Sequence, residues 1–162
     1  MKYKVLINEK FVDAGKAHIS VFDRGFMYGD AVFETMRSYA GTVFKLGEHT
    51  DRLYKSLRLV GIKKPCSRER LELLIYKTLT INKLTDAYIK VSVTRGEGRL
   101  GIGHADTLTP NLIITAKNFD GYPARMYERG ISVTYVTLRQ DESSVLSGIK
   151  SHNFLGYILA RS

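Results

Sequence analysis

The sequence is poor in cysteine, proline and long apolar runs. A single thiol, Cys66, excludes an intrachain disulfide framework and makes a reducing, cytoplasmic setting the expectation. Apolar stretches are short (112–116 is typical), so no membrane partner is expected. The first residues, Met1 to Asn8, lack the apolar segment of a secretory signal. His18, His49, His104 and His152 have no cysteine partners at zinc spacing, which argues against a metal site. Acidic residues are in the minority, 16 against 25 Lys and Arg, for a formal charge of +9. An anionic partner is one reading of that excess. The basic residues are scattered, however, and the densest runs are only Lys63-Lys64 and Arg68-Glu69-Arg70. No recognition helix or aromatic RNA-binding signature accompanies them, so a solvated basic surface is the plainer reading and no nucleic-acid partner is expected.

What remains is a globular composition. Of 162 residues, 44% are hydrophobic and 25% charged, with 14 Gly and 3 Pro, which excludes disorder and collagen. Alternation predicts a hairpin at the start: Tyr3, Val5 and Ile7, a turn at Asn8-Glu9-Lys10, and a return through Phe11-Val12. Residues 20–30 read as an aromatic-rich loop. Residues 31–39 read as a strand, Ala40-Gly41 as a tight turn and 42–46 as its antiparallel partner. A helix is predicted over 48–60, with Leu53, Leu57 and Val60 on one face and Gly61 as the stop. Ser67 suits the cap of a second, with Leu71, Leu74, Ile75, Thr78 and Leu79 as its stripe. Residues 88–94 alternate, Ile89, Val91 and Val93 opposite Tyr88, Lys90, Ser92 and Thr94. Short strands are predicted at 112–116 and 131–137, and the start of a helix at 153–161. The expected class is α+β: a small N-terminal domain over 1–118, a linker over 119–130, and the incomplete opening of a second, β-rich domain over 131–162.

Three features could carry chemistry. Lys150 stands between an irregular stretch and a helical pattern, where the positive end of a helix dipole would lower an amine's pKa and free it for Schiff-base chemistry. Most lysines are simply solvated, and the residues alone favour that. Arg52 borders the apolar stripe of the first long helix, where a guanidinium suits a phosphate. An i,i+4 ion pair with Glu48 is the plainer alternative. The run from Thr94 to Gly103 is glycine-rich but lacks the Gly-Lys-Ser/Thr ending of a phosphate loop.

Four segments together resemble the fold-type IV pyridoxal-phosphate enzymes: branched-chain aminotransferases, D-amino-acid aminotransferases and 4-amino-4-deoxychorismate lyases. They are Asp23-Arg24-Gly25-Phe26-Met27-Tyr28-Gly29-Asp30-Ala31-Val32-Phe33-Glu34-Thr35, Phe44-Lys45-Leu46-Gly47-Glu48-His49-Thr50-Asp51-Arg52-Leu53, Val93-Thr94-Arg95-Gly96 and Ile149-Lys150-Ser151-His152-Asn153-Phe154-Leu155. They stand in the family's order and spacing through nearly the whole chain. The resemblance implies a D-amino-acid-aminotransferase-like fold, pyridoxal 5'-phosphate as cofactor, and a homodimer in the complete enzyme. It makes Lys150 the Schiff-base lysine and proton shuttle, and Arg52 the arginine on the cofactor phosphate. It places Tyr28 and Phe33 in the substrate pocket, and Lys90 and Arg99 where members differ in recognising side-chain or carboxylate groups. The reaction it implies is transamination between a branched-chain-like amino acid and a 2-oxo acid.

Some positions depart from the pattern. Ala31 stands for a common glycine, and His152 varies the wording after the lysine. Leu100 stands where lyases usually carry arginine, and the D-amino-acid enzymes' Pro-Arg-x-His is absent. Family members continue well past Ser162, so the chain is expected to be a truncated form, inactive by itself and weak in cofactor binding. The lyase reaction is the alternative within enzymes. An inert fragment or a basic binding module is the alternative outside them.

Overall fold

The computed structural model describes residues 3–103, 108–137 and 143–161; His104 lies outside them. Its centre is a six-stranded sheet in the order β2-β1-β6-β5-β3-β4, antiparallel at every pairing. The strands are β1 (Lys4–Ile7), β2 (Lys10–Asp13), β3 (Ala31–Tyr39), β4 (Thr42–Val43), β5 (Ala87–Thr94) and β6 (Asn111–Asn118). Short helix α1 (Arg24–Tyr28) precedes β3, and α2 (Leu46–Leu59) and α3 (Arg68–Ile81) lie between β4 and β5. Two further short helices, α4 (Ala124–Arg129) and α5 (Leu155–Leu159), follow β6. The class is α+β, as expected.

Local chemistry sets most of these boundaries. Ala40 and Gly41 both take positive φ, 46° and 83°, which the tight β3–β4 reversal requires. Ser67 caps α3 by accepting from the Arg70 amide. Helix α2 ends in a Schellman motif: Gly61 has φ 67°, its N–H donates to Arg58 O, and the Ile62 N–H donates to Leu57 O.

Strand alternation divides the sheet into two unlike faces. One carries Leu6, Val32, Met36, Ile89, Val91, Val93, Leu112, Ile114 and Ala116, all buried against Leu53 and Leu57 of α2 and Leu71, Leu74, Ile75 and Leu79 of α3. The other carries Phe33, Thr35, Arg37, Tyr88, Lys90 and Ser92, the polar and aromatic half of the same alternation.

Four expectations need correction. Residues 42–46 pair only through Thr42–Val43, because Lys45 enters the left-handed region (φ 52°) and Leu46 already begins α2. The loop 20–30 contains α1, started by the Asp23 cap and stopped by Gly29 at φ 67°. The helix expected over 153–161 is limited to Leu155–Leu159. Residues 131–137 form no strand. Their alternation is real, but Ile131, Val133 and Tyr135 are 65%, 85% and 103% exposed. A strand gains its stability from a partner and an apolar face to cover, and this segment has neither among the described residues.

That exposure has a measurable consequence. Amides over 131–137 are expected to exchange with solvent at nearly unprotected rates, while those of Ile89, Val91 and Val93 exchange only on global opening. Comparable protection of the two segments in a hydrogen-exchange time course would show that 131–137 is paired after all.

Candidate active site

The first segment of the sequence pattern forms a corner beside the end of β3. Asp23 is fully buried: its Oδ1 accepts from the Gly25 amide at 2.7 Å, and its Oδ2 accepts from Thr94 Oγ1 at 2.6 Å and Asn111 Nδ2 at 2.7 Å. Asp30 takes two guanidinium groups, Arg24 Nε at 3.0 Å and Arg95 Nε at 2.7 Å. Arg95 also donates to Val60 O and Gly61 O, which fastens the end of β5 to the end of α2. Gly29 is required twice over: its φ is positive, and a Cβ there would lie 2.2 Å from Asn153 Oδ1.

The lysine segment docks on this corner. The pairing of β3 with β5 leaves the opposite edge of β3 open at 31–33, and residues 150–152 fill it. The Phe33 amide donates to Lys150 O at 2.9 Å, and the His152 amide donates to Ala31 O at 3.1 Å. Ile149 is buried in the core cluster just ahead. An open strand edge thus satisfies the backbone of residues 150–152.

This pairing sets Lys150 opposite Phe33, on the polar face of the sheet. Lys150 Nζ lies 4.7 Å from the centroid of the Phe33 ring and Lys90 Nζ 4.8 Å from it. The ring is also met by His152, edge-on at 5.4 Å, and by Phe154 at 5.2 Å. His152 Nε2 sits 3.2 Å from Ser92 Oγ. Burial, reinforced by the charge on Lys90, pushes the His152 imidazolium down to about 4, so the ring is neutral near pH 7. Burial and then the Lys150 ammonium hold Lys90 below the usual lysine range. Among the described residues no carboxylate pairs with either lysine. Helix α5 begins only at Leu155, five residues beyond Lys150, and the positive charge that acts on Lys90 is that of Lys150.

Arg52 approaches from α2, on the other side of β3. Its partner is not Glu48, whose carboxylate pairs with Lys45 at 2.7 Å. It is Glu34, fully buried, which receives Arg52 Nε at 2.5 Å and Nη2 at 2.6 Å and lies 2.8 Å from His49 Nδ1. The Arg52 side chain remains 54% exposed.

The structure thus brings Phe33, Lys90 and Lys150 together, with Arg52 joined to the same stretch of β3 through Glu34. Tyr28 is engaged elsewhere: its hydroxyl accepts from the Gly101 amide at 2.8 Å, and Arg24 stacks on its ring at 5.0 Å. Arg99 is exposed on the same loop. Sequence reasoning missed Glu34, Asp23, Ser92 and the role of His152. Glu34 had left a sign: it is the one charged residue in the apolar alternation Val32, Glu34, Met36.

The polar face of the sheet thus carries two lysines with no carboxylate partner among the described residues, and Arg52 stands on the other side of β3. The class IV amino-transferase family model matches residues 31–162, and the chain belongs to that family, which uses pyridoxal phosphate. It is 41% identical over 159 residues to a Methanocaldococcus jannaschii protein provisionally named a branched-chain-amino-acid aminotransferase, covering 98% of this chain and 54% of the relative. It is 33% identical over 162 residues to the D-alanine aminotransferase of Listeria innocua, covering 98% and 55%. Among solved structures, the branched-chain amino acid aminotransferase of Escherichia coli superposes with a TM-score of 0.90 at 25% identity, covering 98% of this chain and 55% of the other. The chain spans about half the length of the curated relatives it matches. No described helix is long and apolar enough to cross a membrane.

Proposed function

We propose that this chain carries the lysine and one phosphate anchor of an enzyme that moves an amino group between a branched-chain-like amino acid and a 2-oxo acid. The observation that carries the reading is the docking of Lys150 on the β3 edge, its amine beside the Phe33 ring and clear of any described carboxylate. Pyridoxal phosphate, the family's cofactor, would be held at its aldehyde end by Lys150, whose amine has no carboxylate partner among the described residues, and at its phosphate by Arg52, whose guanidinium is half-exposed. When bound, the cofactor supplies the electron sink. The protein supplies the base, the anchor and the pocket. Lys150 Nζ takes the proton from the α-carbon of the substrate. Lys90 adds positive charge on the same face, where a substrate carboxylate would sit, and neutral His152 adds none. Phe33 and Phe154 offer an apolar wall that suits an aliphatic side chain. Tyr28, at the end of α1, and Arg99, on the glycine-rich loop, would border the substrate from outside this cluster.

In this reading residues 1–118 are the small domain of a homodimeric enzyme, 119–130 its linker, and 131–162 the opening of the cofactor-binding domain. The test is an amino-transfer assay with 2-oxoglutarate as acceptor, run beside an assay for pyruvate release from aminodeoxychorismate. Transfer without pyruvate release supports the reading, and the reverse makes the protein a lyase. L- and D-amino acids are offered separately, because the relatives include both branched-chain and D-alanine enzymes.

Arg52→Ala removes a charge-assisted contact and is expected to weaken pyridoxal-phosphate binding by about 1.5–3 kcal/mol. Arg52→Lys should restore only part of this, because an ammonium lacks the fork geometry. An unchanged dissociation constant in Arg52→Ala would leave Arg52 as the ion-pair partner of Glu34 and nothing more.

A further inference from the structure

We propose that Glu34 is the positioning residue of the phosphate anchor: it grips one edge of the Arg52 guanidinium and leaves the other edge set for a phosphate. The proposal rests on the reading of Arg52 given above.

Glu34 occupies a place where a carboxylate is costly. It alternates with Val32 and Met36 on the helix-facing side of β3 and is fully buried. Such a group persists only when its oxygens are paired. Here both are, to Arg52 Nε and Nη2, with His49 Nδ1 sharing Oε2.

A guanidinium has five N–H donors in a rigid plane and presents more than one edge. The edge formed by Nε and Nη2 is committed to Glu34. Nη1 has no acceptor among the described residues, the only other contact of Nη2 among them is His49 Nδ1 at 3.4 Å, and the side chain is half-exposed, which leaves the Nη1–Nη2 end available. That end is the fork that matches two oxygens of a phosphate. A free arginine on the surface of α2 would lose much of its rotamer freedom on binding an anion. Arg52 has already lost it to Glu34, so less is lost when the phosphate arrives.

Glu34 also acts in the opposite sense. Its charge neutralises the guanidinium and weakens the pull on an anion. The two effects have opposite signs, and the proposal is that positioning dominates. Removing the carboxylate should therefore weaken phosphate recognition, although the net positive charge of the site increases.

The experiment titrates the full 162-residue chain and its variants with pyridoxal phosphate and with pyridoxal, which lacks the phosphate, and follows the absorbance of the aldehyde. The readout is the ratio of the two dissociation constants, which a general loss of folding would not move selectively. Glu34→Gln is expected to reduce the preference for the phosphorylated form about tenfold, in line with losing one well-oriented charged hydrogen bond. If Glu34→Gln melts too early to titrate, Glu34→Asp keeps the charge but withdraws the carboxylate, and the same selective loss is expected. In an Arg52→Ala background, Glu34→Gln should change the ratio no further. A wild-type ratio in the Glu34 variants, or tighter binding of pyridoxal phosphate, would overturn the proposal while leaving the anchor reading intact. A wild-type chain that bound pyridoxal phosphate no better than pyridoxal, or an Arg52→Ala chain with an unchanged ratio, would remove the anchor reading and this inference with it.

Discussion

Replacing Lys150 with alanine is expected to abolish the pyridoxal-phosphate adduct trapped by borohydride and to leave the fold intact. If Lys150 is the base proposed above, its loss should lower the rate of amino transfer by about 10²–10⁴-fold, the usual scale of general acid–base catalysis. The fold should tolerate the change, because the pairing of this segment uses the Lys150 backbone carbonyl, which accepts from the Phe33 amide whatever side chain follows. The lost side-chain contact is a cation over the Phe33 ring, worth about 0.5–1 kcal/mol at such a site. Lys90 sits over the same ring at a similar distance, so the adduct must be mapped and not only counted. Lys90→Ala should retain the adduct and Lys150→Ala should not. Peptide mapping that found the reduced adduct on Lys90, or on any other lysine, would end the assignment.

The largest expected effect on stability is at Asp30. Its carboxylate is the shared partner of Arg24 and Arg95, whose side chains are only 7% and 15% exposed. Asp30→Ala leaves two guanidinium groups facing each other without a counter-charge, and breaking a buried pair in this way costs about 3–5 kcal/mol. It also loosens the tie that Arg95 makes to the end of α2 through Val60 and Gly61.

The effect should depend on pH in a definite direction. Burial by itself would raise the Asp30 pKa, but the hydrogen bonds from Arg95 and Arg24 outweigh it and hold the carboxyl below its ordinary value of 3.8. A carboxyl lowered in the folded state stabilises that state above its unfolded pKa, and the benefit disappears as pH falls through the folded value. The stability gap between wild type and Asp30→Ala should therefore be constant from about pH 5 to 8 and narrow below about pH 4. Denaturant titrations at several pH values check this. A gap under about 1 kcal/mol at pH 7 would show that the two arginines find water instead.

The comparison of sequence and structure turns on distance along the chain. The hairpin at the N-terminus, the ends of β3, the Ser67 cap and the Gly61 stop were all legible, because each depends on residues within a turn of one another. The two faces of β5 were legible for the same reason, since alternation is a local property of extended chain. The partner of Arg52 was not. Helical spacing offers Glu48 one turn away, yet the guanidinium goes to Glu34, because an exposed carboxylate has water as an alternative and a fully buried one does not. The strand expected at 131–137 failed on the same principle from the other side: alternation makes a segment able to pair, and only a neighbouring strand makes it pair. Lys150 shows both halves. The role expected of it came from the residues around it, through their likeness to a family. Its position beside Phe33 and Lys90 was decided by an open edge of β3 more than a hundred residues earlier in the chain, where the backbone of 150–152 finds the hydrogen bonds it cannot make with itself.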